Sequence, residues 1–169
     1  HATRKMAMAA TDPELFIPTN ADGSSILEIA RNIELFEPGD VDVVKELWSD
    51  FLTKGDAGSW YHFIAARRDG QVLGFACYGQ RPLTQGTYDL YWIAVDKNHH
   101  RQGIGEILLG EAEKQVKARG GRLLIAETAG KSAFELARRF YLKTGYELEA
   151  RIRDFYSPGD DLVVFTKRL

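Results

Sequence analysis

TYDLYWIAVDKNHHRQGIGEILLGEAEKQVKAR, residues Thr87 to Arg119, decides how the rest of the chain is read. Thr87 to Val95 is rich in aromatic and β-branched residues, the composition of a buried strand. Asp96 to Gln102 is a polar, basic loop. Gly103-Ile104-Gly105 then opens a run in which Ile104, Ile107, Leu108, Ala112 and Val116 recur at helical spacing. Strand, glycine loop and helix in this order make a seat for an anion. The first N–H groups of a helix have no partner inside it, and the helix dipole places its positive end there. Arg101, just before the turn, adds a guanidinium. A phosphate-bearing cofactor is expected here.

Upstream, Tyr61 to Arg67 and Val72 to Tyr78 read as paired strands around Asp69-Gly70, a dipeptide suited to a tight hairpin turn. Val41, Val44, Leu47, Trp48, Phe51 and Leu52 form a helical stripe ending at Thr53, with Asp40 placed to cap it. Ile26 to Arg31 alternates apolar and polar residues and reads as a first strand, and Arg81 to Gly86 reads as a loop. Downstream, Gly120-Gly121 stops the helix of the opening stretch. Arg122 to Thr128 is apolar up to Glu127 and is expected to be a strand buried on both faces. Ser132 and Glu135 have capping-box spacing, and the helix they open runs to Gly145. Tyr146 to Arg153 and Leu162 to Lys167 are closing strands, joined through Ser157-Pro158-Gly159-Asp160. The expected order is β, α, β, β, β, α, β, α, β, β.

A chain of 169 residues with 44% hydrophobic and 27% charged residues suits one globular domain with a real core. A net charge of −2 gives no general attraction to nucleic acid or an anionic membrane, and no stretch approaches the roughly 20 apolar residues that span a bilayer. The single cysteine, Cys77, excludes an internal disulfide and fits a reducing, cytoplasmic setting. Residues 1–22 read as a poorly ordered leader and residues 23–169 as the domain.

Other motifs compete for the chemistry. A dinucleotide fingerprint needs a third glycine where Leu108 stands, and only one βαβ unit is present. Gly130-Lys131-Ser132 lacks the P-loop's first glycine, since Ile125 occupies that position. Cys77 reads as a buried strand residue, its nearest candidate partner being His62. His99-His100 lacks spaced metal-ligating partners, so no metal is expected.

The third reading joins two segments. Tyr91-Trp92-Ile93-Ala94-Val95, the basic loop and its Gly-x-Gly, with Ala137-Arg138-Arg139-Phe140-Tyr141-Leu142-Lys143-Thr144-Gly145-Tyr146 one strand later, resemble the GNAT superfamily of acyl-CoA-dependent N-acyltransferases. The resemblance covers residues 26–169 in element order, and the stretches around Asp89 and Asp154 are similar to a bacterial subgroup. It implies an α/β (α+β) domain whose mixed, mostly antiparallel sheet is splayed at a central parallel strand pair and flanked by helices. Departures are His100, where the family usually has Gln or Arg, and Phe134, where Asn is common.

Such a resemblance implies acetyl-CoA as donor and a primary amine as acceptor: a small molecule, an amino acid, or a peptide or protein amine. It also implies that the pantetheine arm lies along Ile93, Ala94 and Val95. The pyrophosphate would meet N–H groups in the run His100, Arg101, Gln102, Gly103, Ile104, Gly105 and Glu106. Phe134 and Arg138 would face the cofactor from the last helix, and a backbone N–H near Val95 would polarise the carbonyl. Acyl transfer needs a base for the ammonium, donors for the oxyanion and a proton for the thiolate. Tyr141 is the expected acid, on one helical face with Phe134 and Ala137. Asp89 is the first choice of base, on a strand face with Tyr91, Ile93 and Val95, and Glu127 the second, desolvated at the end of its strand. A water chain serves equally as base. A non-catalytic CoA-binding sensor and a dinucleotide-binding protein are the alternatives. A monomer or a homodimer fits, with no nucleic-acid or membrane partner.

Overall fold

In chain order, the residues described by this computed structural model, 12–169, form β1 (Glu14–Phe16), α1 (Gly23–Arg31), α2 (Pro38–Gly58), β2 (Tyr61–Arg68), β3 (Gln71–Gln80), β4 (Thr87–Val95), α3 (Ile104–Ala118), β5 (Leu123–Ala129), α4 (Glu135–Lys143), β6 (Glu147–Ser157) and β7 (Asp160–Arg168). One sheet holds all seven strands in the order β1-β2-β3-β4-β5-β7-β6. Only β4 and β5 run parallel; the other neighbours are antiparallel. This is the expected mixed α/β fold.

Local chemistry explains the turns. Asp69 and Gly70 both take positive φ, as a tight hairpin turn between right-twisted strands requires. After α3 the chain turns at Gly120 (φ 85°), and Gly121 N–H donates back to Val116 O at 2.8 Å.

Several expectations are corrected. Residues 26–31 are helical, because Ile26, Ile29 and Ala30 fall on one buried face at i, i+3, i+4. Glu14–Phe16, inside the segment read as a leader, pairs with β2; residues 1–11 of that segment lie outside the described residues. Asp40 stands inside α2 and accepts from Glu37 N–H at 2.8 Å, so Glu37 is the N-cap. Ser132 makes no capping bond; Ser132–Phe134 is a 3-10 turn and α4 starts at Glu135.

The core has two layers. Leu73, Tyr78, Tyr88 and Leu90 pack with Ile104, Leu108 and Val116 of α3 on one face. Ile26, Val44, Trp48 and Phe51 of α1 and α2 pack with Phe63, Phe75 and Cys77 on the other. Cys77 is fully buried, and burial pushes its thiol well up, which fits a structural residue. The second layer of helices does not cover β5: Ile125 is half-buried and Glu127 exposed. The strand expected to be buried on both faces therefore has one face open.

Two irregularities shape the centre of the sheet. Pairing of β4 with β5 runs from Thr87–Leu123 to Leu90–Ala126 and stops there, so the strands part beyond those residues. On its other side β4 bulges: Cys77 pairs with Trp92 and Tyr78 with Leu90, leaving Tyr91 as the extra residue. The bulge reverses the alternation. Tyr88, Leu90, Ile93 and Val95 belong to the α3 side, whereas Tyr91, Trp92 and Ala94 belong to the α1–α2 side. Asp89, opposite Gly79, thus shares a face with Tyr91 but not with Ile93 and Val95.

Candidate active site

The cofactor end is built from backbone. Beyond Leu90 no strand among the described residues pairs with the β5 side of β4, leaving the main chain of Tyr91 to Val95 open along the gap. Arg101 (φ 63°) and Gly103 (φ 76°) both adopt the left-handed conformation and turn the chain into α3. The first N–H accepted within the turn is that of Ile107, by Gly103 O at 3.1 Å. The N–H groups of Ile104 to Glu106 precede that bond and have no acceptor within the helix, the arrangement that binds anions.

Side chains brace this loop. His100 Nε2 donates to Val95 O at 3.0 Å, and His99 Nδ1 donates to the Asp96 carboxylate at 3.1 Å. Arg68 donates to Gln102 Oε1 at 3.0 Å. His100, the departure from the family pattern, thus ties the loop to the end of β4. Lys143 pairs with Glu106 at 2.8 Å, joining α4 to the start of α3. The ring of Phe140 lies 3.5 Å from where a side chain on Gly105 would begin, so α4 closes against the glycine turn. Arg138 donates to Ala129 O and Lys131 O, both at 2.7 Å, and closes the turn from β5 to α4. Phe134 caps the N-terminus of α4 and is half-buried.

Tyr141 stands at the root of the gap. Its ring centroid is 5.5 Å from that of Phe165, which pairs with Ala126, the last β5 residue bonded to β4. Tyr146 and Phe140 pack around the same ring. Burial alone pushes the phenol up to about 12, so it keeps its proton at neutral pH.

The opposite face of the sheet carries a cleft of about 490 Å³ lined by Asp89, Tyr91, Trp92, Glu127, Arg81 and Tyr156, among others. Both candidate bases therefore enter one cleft. Arg81 Nη2 lies 2.7 Å from Asp89 Oδ1 and 3.6 Å from Glu127 Oε1. The Asp89 side chain is only 11% exposed, whereas that of Glu127 is 43% exposed and not desolvated as expected. The hydrogen bond that Arg81 donates to the Asp89 carboxylate raises the pKa of the guanidinium. Burial, then the negative charge of Asp89, pushes the Tyr91 phenol up to about 12. The Tyr156 phenol is also raised, by burial first and then by the negative charges of Glu127, Asp160 and Asp40.

The sequence reading missed Arg81 and Tyr156 as cleft residues. Arg81 sits in a segment readable only as a loop, and Tyr156 in the hairpin that closes the sheet. Gly79 was missed as well. A side chain there would meet Trp60 O at 2.4 Å and the Tyr91 ring at 3.1 Å, so the floor beneath Tyr91 exists only because residue 79 is glycine.

Residues 25–146 match the acetyltransferase (GNAT) family model. Over 117 residues, covering 68% of this chain and 73% of the relative, the sequence is 31% identical to the [ribosomal protein bS18]-alanine N-acetyltransferase of Escherichia coli K12. The chain belongs to the GNAT acetyltransferase family. A crystal structure of a GNAT-family protein from Desulfovibrio desulfuricans superposes with a TM-score of 0.88 at 38% identity, over 92% of this chain and 98% of that one. An aminoglycoside 6'-N-acetyltransferase complexed with coenzyme A shares the fold at 16% identity and a TM-score of 0.72, over 92% and 96% of the two chains. The chain is thus an acetyltransferase of this family, and the aminoglycoside acetyltransferase of the same fold is complexed with coenzyme A.

Proposed function

We propose that this chain transfers the acetyl group of acetyl-CoA to a primary amine by direct attack in a ternary complex, at the gap between β4 and β5. One observation carries the reading: Tyr141 packs on one face of the sheet and the Asp89–Glu127 cleft opens on the other, with the strand gap between them. A thioester lying in that gap would meet a proton donor on its sulfur side and carboxylates on its acyl side.

In this reading acetyl-CoA is held by the open backbone of Ile93 to Val95, with its pyrophosphate over residues 101–106 and Arg101. The acceptor enters as an ammonium ion, and Glu127 receives its proton directly or through water. Glu127 is preferred to Asp89 because one Asp89 oxygen is occupied by Arg81 while Glu127 stands open in the cleft. The neutral amine attacks the carbonyl carbon and the C–N bond forms. The oxyanion is stabilised by a backbone N–H near Val95. Collapse breaks the C–S bond; the Tyr141 hydroxyl gives its proton to the departing thiolate, and the surplus proton of the attacking nitrogen returns to the phenol through water.

A peptide or protein N-terminus is the favoured acceptor class. The Escherichia coli relative is named for N-acetylation of an alanine of ribosomal protein bS18. The cleft mouth also presents apolar surface beyond what a small amine needs: Phe155 and Tyr156 are half exposed, and Leu83, beside Pro82 of the cleft, is fully exposed. The test is release of CoA thiol from acetyl-CoA with short alanine-, serine- and methionine-initiated peptides, free amino acids and aminoglycosides. Turnover of peptides above the other arms supports the reading. Stabilisation by CoA without turnover of any amine would favour a sensor, and stabilisation by NAD or ATP but not CoA would overturn the cofactor assignment.

A further inference from the structure

Among the described residues Arg81 is the one basic side chain lining the cleft, and its Nη2 lies 2.7 Å from the Asp89 carboxylate and 3.6 Å from that of Glu127. It follows β3 directly, and the loop is fixed at both ends: Arg81 N–H donates to Thr87 O at 2.8 Å, and Thr84 Oγ1 donates to Arg81 O at 2.7 Å. The guanidinium is therefore delivered by a closed turn. Asp89 comes from β4 and Glu127 from β5, the two strands that part at the gap. A bridge from Arg81 to both spans the gap's acceptor side.

We propose that Arg81 is a positioning residue for the acceptor-side base: it holds the Asp89 and Glu127 carboxylates apart, ionised and in fixed register across the β4–β5 gap. This rests on the reading of that cleft as the acceptor site. Two carboxylates facing one cleft repel, and a counter-charge between them relieves that repulsion. The Asp89 contact is a hydrogen bond and the Glu127 contact, at 3.6 Å, a looser ion pair; a planar guanidinium with its donors in a fixed fork suits such a pair of contacts better than an ammonium. The groups facing the pair are Arg81 from the loop, Tyr91 on β4 and Tyr156 on β6. Tyr61 of β2 packs on Tyr91, and Glu127, Asp160 and Asp40 act electrostatically on Tyr156, with Lys131 3.7 Å from Asp160. Of the described residues lining the cleft, Arg81 is the cationic one. Asp89, Glu127 and Arg81 by themselves sum to −1, two carboxylates and one guanidinium, which a single acceptor ammonium neutralises.

The decisive measurement does not require a known acceptor. Side-chain carboxyl carbons of Asp89 and Glu127, assigned through Asp89→Asn and Glu127→Gln, are titrated by carbon-13 NMR in the wild type and in Arg81→Gln and Arg81→Lys. In Arg81→Gln at least one of the two midpoints rises by about one pH unit or more, and Arg81→Lys recovers part of the shift. Unchanged midpoints in a folded Arg81→Gln protein would overturn the proposal. A peptide-dependent acetyl-transfer assay then separates it from the reading beneath it. If Glu127→Gln abolishes turnover, the acid limb of kcat/KM in Arg81→Gln moves to higher pH, with roughly ten-fold lower activity on that limb and recovery at high pH. If the NMR midpoints shift while Glu127→Gln and Asp89→Asn turn over normally, Arg81 still organises the pair, and it is the assignment of the base that fails.

Discussion

The two ends of the site are made differently. The cofactor end is main chain: an unpaired strand edge, two left-handed residues and the start of α3, all within Tyr91 to Glu106. The acceptor end is side chain: Arg81, Asp89, Glu127 and Tyr156, delivered by a loop and three strands. A backbone site is specified by local sequence, because glycine placement and helix start fix where N–H groups point. A side-chain site is specified by register across the sheet, and here a single bulged residue sets that register. The same chain thus carries a locally encoded site at one end and a register-dependent one at the other.

The largest expected effect tests the element that joins the two ends. Tyr141→Phe removes the hydroxyl and leaves the ring packed on Phe165 and Tyr146. Turnover should fall on the order of 100-fold, the usual scale of a lost general acid, with CoA affinity unchanged. Calorimetry with CoA beside steady-state rates checks both, and an unchanged rate would remove Tyr141 from the mechanism. Next in size is Gly103→Glu. Nothing lies within 4 Å of a side chain at residue 103, so the substitution adds negative charge and left-handed strain without a clash. CoA should bind roughly ten-fold more weakly or worse. Undiminished binding would place the phosphates elsewhere.

Gly79→Ala makes the opposite demand and sharpens the contrast. Gly79 needs no unusual φ; it needs room, because Trp60 O and the Tyr91 ring crowd its Cα. Overpacking there should cost about 1–3 kcal/mol of stability. It should also raise the KM for the acceptor, through a displaced Tyr91, while CoA affinity stays as it was. Denaturant melts and separate KM values for donor and acceptor test this; a change confined to the CoA term would break the division between the two ends.

This contrast explains what the sequence made legible. β4, the glycine turn, α3, the Asp69-Gly70 hairpin and the helix of Tyr141 each carry a local signal, and each lies where that signal puts it. Residues 26–31 did not, since six residues satisfy both a two-residue and a 3.6-residue period. The open face of β5 was not legible because apolar content shows that a strand is buried, not that its second face lacks a helix. Asp89 was placed with Ile93 and Val95 because alternation was carried straight through Tyr91, and no local feature of Tyr91-Trp92 announces a bulge. Arg81 was invisible for the same reason: its partners are chosen by the register of strands it does not belong to.

The smallest expected effect lies away from both ends. His62 Nδ1 lies 3.0 Å from Asp56, Arg119 pairs with Asp56 at 2.8 Å and donates to Tyr78 Oη at 3.0 Å, and Tyr78 donates to Gln115 at 2.8 Å. This network joins the end of α2 to the end of α3 across β2 and β3. Burial lowers the pKa of His62 below 6.5, and Asp56 only partly opposes it. The unfolded chain therefore binds a proton to this residue more readily than the folded one. Stability contributed here is complete above the unfolded value and is lost as pH falls from 6.5 toward the folded pKa. Tm should decline between about pH 7.5 and pH 5.5, and His62→Gln should flatten that slope. CoA affinity at neutral pH should not change in this variant, because none of these side chains reaches the glycine turn or the cleft. A variant that altered CoA binding would mean that α3 transmits strain from its C-terminus to its N-terminus, and the two ends of the site would then no longer be separable from the frame that holds them.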